Sequence, residues 1–184
     1  PGAGSGAPIE FFVFNGLLYF KANDGSGTKV FEYDGSNAPV ISSVFSASDY
    51  GFYEFNGELY FGSDDGLTGY ELWKYDGTNA PVQVADINQG PVGSGPFGLQ
   101  EFNGKLYFSA YTATFATEMW EYDGTNPPVL SFDLNPQGDS YPEEMTVFNG
   151  KMYFRAYDDN TGNELYEFTP GSIPVLVDDI YPGS

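Results

Sequence analysis

The sequence predicts an all-β protein of four four-stranded antiparallel blades that close into a four-bladed β-propeller, with half of an eight-bladed dimeric propeller as the alternative. Three observations lead there. The tripeptide Phe-Asn-Gly recurs at Phe14, Phe55, Phe102 and Phe148, in steps of 41, 47 and 46 residues. Each copy is followed by the same order of strand-like runs and turn signals, the mark of a repeat architecture. No apolar period of 3.6 residues persists long enough for an amphipathic helix.

Within each unit the first strand ends at the Phe of the tripeptide. Asn-Gly between two apolar runs favours a tight type I′ hairpin, because both residues tolerate positive φ and the turn's twist matches the strands. The second strand follows at 17–20, 58–61, 105–108 and 151–154. A short polar loop leads to the third strand, which carries Phe31, Trp73, Trp120 or Tyr166 at one repeat position. Asp34-Gly35, Asp76-Gly77 and Asp123-Gly124 then turn the chain, and the fourth unit departs with Thr169-Pro170-Gly171. Each unit finishes in a run starting at Pro39, Pro81, Pro128 or Pro174. The repeats therefore span about 7–45, 46–87, 95–134 and 141–180, within one domain. Their strands are apolar at nearly every position, which predicts sheets covered on both faces. Four-stranded meanders covered by copies of themselves are propeller blades. The break between the fourth unit and the first falls in the Pro/Gly-rich residues 181–184 and 1–6, so every blade is expected to be complete.

Composition narrows the function. The chain has 26 acidic and 6 basic residues and no His, a net charge of −20. Such a surface repels nucleic-acid phosphates and anionic lipid. No run approaches the ~18 apolar residues of a membrane-spanning helix, so neither nucleic acid nor membrane insertion is expected. Aromatic residues make up 18% of the chain, which sets it apart from disordered acidic sequences. Without Cys there is no disulfide framework and no thiolate. Without His or Cys, imidazole-assisted and thiol catalysis are closed, leaving only carboxylate chemistry such as glycoside hydrolysis. The acids recur at repeated positions, which points to structural roles, so no enzyme activity and no required cofactor are expected. The Pro/Gly start is not a signal peptide, which a mature secreted form would have lost.

The third strands and their turns carry a resemblance. Glu71-Leu72-Trp73-Lys74-Tyr75-Asp76-Gly77-Thr78 resembles the ELWxxDGT repeat of bacterial, often cyanobacterial, extracellular proteins, and Glu118-Met119-Trp120-Glu121-Tyr122-Asp123-Gly124-Thr125 is a near match. Lys29-Val30-Phe31-Glu32-Tyr33-Asp34-Gly35-Ser36 is weaker, and the fourth unit keeps only Glu164-Leu165. The resemblance implies an extracellular protein, secreted or at the cell surface. It marks a family better than a function, since the ligands of such scaffolds vary.

Two loop sets are the candidate sites. Asp24, Asp64, Asp65, Asp158 and Asp159 lie in Asp/Asn/Gly loops between second and third strands. Clustered oxygens there would suit calcium, and the plainer reading is that these residues turn the chain. Unit three replaces that loop by residues 111–117, uncharged, with two aromatics. Tyr111, Thr114 and Phe115 are the candidate ligand contacts, because an aromatic face beside hydroxyls suits sugar or peptide recognition. Trp73 and Trp120 are expected in the core between blades. Asp86, Asp133 and Asp179 are expected to hydrogen-bond loop backbone. The functional expectation is a non-catalytic, lectin-like module for carbohydrate or an extracellular protein. The rival is a structural repeat of a matrix or surface layer that assembles with copies of itself as a homo-oligomer.

Overall fold

A computed structural model describes residues 6–182. The remaining residues of the Pro/Gly-rich ends, 1–5 and 183–184, lie outside the described residues, and with them most of the predicted break. The described chain is all-β and contains no helix. Sheet one holds β1 (Ile9–Phe14), β2 (Leu17–Asn23), β3 (Thr28–Tyr33) and β4 (Val40–Ile41). Sheet two holds β5 (Tyr50–Phe55), β6 (Glu58–Asp64), β7 (Tyr70–Tyr75) and β8 (Val82–Gln83). Sheet three holds β9 (Phe97–Phe102), β10 (Lys105–Thr112), β11 (Ala116–Tyr122) and β12 (Val129–Phe132). Sheet four holds β13 (Glu143–Phe148), β14 (Lys151–Asp158), β15 (Gly162–Phe168) and β16 (Val175–Asp178). Each is a four-stranded antiparallel meander in chain order.

The turns form for the reasons the sequence carries. Both residues of every Asn-Gly pair have positive φ, from Asn15 at 49° and Gly16 at 76° to Asn149 at 49° and Gly150 at 76°, the type I′ geometry. In the Asp-Gly turns the carboxylates of Asp34, Asp76 and Asp123 accept two backbone N–H groups and an Asn side chain each. Those bonds favour the charged form and hold the Asp34 and Asp123 carboxyls down at about 2. Every first strand also bulges near its start. The residue at that bulge is left-handed: Gly51 and Gly98 in the middle sheets, Glu10 and Glu144 in the outer ones.

Successive sheets pack face to face through three apolar clusters, one per junction. Between sheets one and two lie Phe14, Tyr19, Phe45, Phe61 and Tyr75, with Phe12 stacked on Phe52 at 4.0 Å. Between two and three lie Phe55, Tyr60, Leu106, Phe108 and Trp120. Between three and four lie Phe102, Tyr107, Met152, Phe154 and Phe168. Each junction repeats one pattern. The Phe of Phe-Asn-Gly and the Tyr five residues later point forward, onto the rear face of the next sheet's second and third strands. Trp73 and Trp120 belong to those rear faces, as expected of core residues.

The ends of the row differ from this pattern. Phe14, Phe55 and Phe102 are 1%, 2% and 3% exposed, whereas Phe148 is 62% exposed. At the other end Phe11, the repeat counterpart of buried Leu99, is 59% exposed. A ring closed within one chain buries both faces. Closure of four blades in a single chain is therefore not what the structure shows. The end strands are as apolar as the middle ones, but each outer sheet has a neighbour on one side only.

Candidate functional site

The connections from β8 to β9 and from β12 to β13 run beside the hairpin loops between second and third strands. Backbone bonds hold the first there: Ser94 and Gly95 N–H donate to the Tyr70 carbonyl, and Tyr111 N–H donates to the Ser94 carbonyl. The same strap recurs one sheet on, where Ser140 and Tyr141 N–H donate to Thr117 and Tyr157 N–H donates to Ser140. Gly69 and Gly93 allow the closest approach, since a methyl group on Gly69 would lie 2.6 Å from the Gly93 nitrogen.

Buried glutamates at the head of the third strands fasten these straps. Glu71 accepts the N–H groups of Ile87 and Asn88 and the Ser94 hydroxyl at 2.6 Å. Glu118 accepts Leu134 N–H and the Ser140 hydroxyl at 2.5 Å. Glu164 accepts Ile180 N–H. Burial pushes the Glu118 carboxyl up to about 7, only partly offset by its Ser140 and Leu134 bonds. The expected role of Asp86, Asp133 and Asp179 is thus corrected. Glutamates make the loop bonds, Asp86 and Asp133 are exposed, and one Asp179 oxygen is buried without a partner. The Glu of the Glu-Leu-Trp pattern carried the signal for this role.

The loop of unit three sits between two straps. Ala113 N–H donates to the Asn88 side chain on one side, and Thr117 N–H donates to Asp139 on the other. Phe115 N–H closes the loop onto the Thr112 hydroxyl. Tyr111 and Phe115 remain exposed above it. On one side is a cleft of about 360 Å³ whose walls include Asp86, Asn88, Gln89, Thr114, Phe115 and Trp120. On the other, Thr114 and Phe115 also line a cleft of about 170 Å³ with Asp133, Pro136 and Gln137. Trp120 is buried, and its indole N–H has no acceptor. So Thr114 and Phe115 share both clefts, while Tyr111 stands on the adjoining strand.

Ala116 adds a sign of strain. It has φ +55°, while Gly27, Gly69 and Gly162 hold the same repeat position at positive φ. A Cβ in that conformation is unfavourable by about 1–2 kcal/mol. Unit three has abandoned glycine and kept the backbone.

The aspartate loops behave otherwise. Asp24 accepts the Ser26 N–H and hydroxyl, and those bonds lower its carboxyl. Asp64 accepts Gly66 N–H, and Asp65 accepts the Leu67 and Thr68 N–H groups. Asp158 accepts Asn160 N–H. Asp159 lies instead in a cleft of about 400 Å³ with Tyr141 and Tyr157. The structure does not bring the five candidate calcium ligands together: they are spread over the loops of sheets one, two and four, and no group of three acidic side chains among the described residues could hold a metal ion. Four of the five aspartates close their own turns.

No family model matches the chain, and no curated protein matches it. Among solved structures it is similar to the acylaminoacyl peptidase of Pyrococcus horikoshii, with a TM-score of 0.61 and 12% identity over 92% of this chain. The chain spans 27% of that peptidase. The likeness concerns the fold alone. The computationally designed Ika8 protein (TM-score 0.47, 16% identity, 93% of this chain and 48% of that one) is a more distant likeness. The isopeptidase AtxE2 (0.48, 13%, 89% and 26%) stands at a similar distance.

Proposed function

We propose that the chain is a propeller segment acting as a non-catalytic extracellular binding module, and that its ligand is a carbohydrate held beside the loop of unit three. One observation carries this reading: Thr114 and Phe115 line the clefts on both sides of a loop pinned to two straps. A pinned loop reduces the entropy lost on binding. The exposed Phe115 and Tyr111 rings offer apolar faces for a sugar ring, and Asp86, Gln89 and Thr114 offer donors and acceptors for its hydroxyls. The larger cleft falls within the range of about 300–1,000 Å³ common for small-molecule sites. The extracellular setting rests on the ELWxxDGT resemblance.

The test is a glycan array followed by calorimetry on the chain and on a Tyr111→Ala/Phe115→Ala variant. Both side chains are exposed, so the variant should keep the parent melting temperature and lose affinity at least tenfold. Unchanged affinity of the variant for an array hit, or no hit for the parent chain, would count against the reading. The bare end faces favour a second reading, assembly with copies of the same chain.

A further inference from the structure

We propose that the bare front of sheet four docks on the bare rear of sheet one of a second copy, twice over, so that two chains close one ring of eight sheets. The internal junctions are the template. In each of them the forward Phe, Tyr and aliphatic residue of one sheet are buried on the rear of the next. Sheet four presents the same three positions without a following sheet, as exposed Phe148 and Leu165 and half-buried Tyr153. Sheet one presents the matching rear positions, where Phe11, Phe20 and Phe31 stack in a row at 5.7 and 5.6 Å. The two faces are the two halves of a junction the chain already makes three times.

A finer contact repeats the match. The Asn15 side chain sits over Gly77 of the next sheet and Asn56 over Gly124, where a methyl group added to the glycine would lie 3.2 Å from the Asn56 side-chain nitrogen. Sheet four keeps this inserting Asn as Asn149, and sheet one keeps the receiving Asp-Gly turn at Gly35, which has nothing within 4 Å. Charge does not forbid the junction despite −20 per chain. On the front of sheet four Lys151 pairs with Glu167 at 2.6 Å, and Arg155 pairs with Glu143. Salt screens exposed charges more than about 8 Å apart at physiological ionic strength.

Geometry sets the number of copies. The junction is head-to-tail, so it closes only if a whole number of chains completes the circle. Propellers typically have about 4–8 blades. One chain leaves its ends bare and three chains would give twelve sheets, so two chains fit.

Sedimentation of the full chain at near-physiological salt, from dilute to concentrated solution, tests the proposal. The expected species is a dimer of twice the chain mass. Phe148→Asp and Phe11→Asp should each remain folded by circular dichroism, since both rings are exposed in the single chain, and each alone should be monomeric. Mixed together they should associate more weakly than the parent chain, because only one of the two junctions then joins a Phe11 to a Phe148 while the other sets Asp against Asp. A parent chain that stays monomeric at every concentration, or forms an open ladder of larger species, overturns the proposal, whatever the variants do. So does a dimer that survives either substitution. These outcomes are independent of glycan binding.

Discussion

Phe102 and Phe148 occupy the same position in consecutive repeats, and their surroundings are opposite. Phe102 closes the junction between sheets three and four; Phe148 faces outward from the end of the row. The residue, the turn and the strand are alike, so local propensity cannot tell them apart. What differs is whether another sheet follows. In a row of repeats each face draws its stability from its neighbour, and the end faces keep chemistry without a neighbour to use it on.

The sharpest way to break this comparison is truncation at both positions. Phe102→Ala should destabilise the chain by about 3–5 kcal/mol, as for other large core aromatics. Phe148→Ala, followed by urea unfolding in dilute solution, should fall within about 0.5 kcal/mol of the parent. Similar losses at both sites would mean that the end face is covered in the single chain.

A smaller effect separates the strap glutamates. Glu118 is fully buried with two partners, whereas Glu164 near the open end accepts one N–H. Because the folded Glu118 carboxyl is raised from near 4.5 to about 7, the folded chain retains a proton that the unfolded chain releases across that window. This group's contribution is therefore most favourable below pH 4.5 and declines as pH rises through 7. Lower pH also relieves self-repulsion of the acidic chain, so the variant must be compared with the parent. Glu118→Gln should flatten the fall in melting temperature between pH 5 and 8, by at most about 3 kcal/mol of stability. An identical pH dependence in parent and variant would remove Glu118 as its source.

Much of this was legible in the sequence, and the omissions share a cause. Asn-Gly specified its hairpins through φ alone, and the fourfold recurrence of strands apolar at nearly every position specified four sheets covered on both faces. Closure was not legible, because Phe148 reads like Phe102 and the angle between sheets has no sequence signal. The calcium and turn readings of Asp64 and Asp65 are indistinguishable in the sequence for a related reason. Turn-forming and metal-binding aspartates look the same until their oxygens are seen on their own backbone N–H groups. Glu71 and Glu118 were quoted only as letters of a motif, because the residues they fasten lie 16 to 23 positions away.

The smallest predicted effect concerns the loop of unit three against its counterparts. Ala116→Gly should raise stability by about 1 kcal/mol, the relief expected where a left-handed position loses its Cβ. Thermal unfolding reads it directly. No gain would show that the Ala116 backbone is not strained.

Hydroxyl-radical footprinting, read by mass spectrometry at single phenylalanines, tests the open row most directly. In dilute solution Phe11 and Phe148 should oxidise rapidly while Phe14, Phe55 and Phe102 stay protected, matching exposures of 59% and 62% against 1–3%. Protection of Phe148 at a concentration where the chain sediments as a monomer would contradict the account, since it would mean that sheets one and four already meet within one chain.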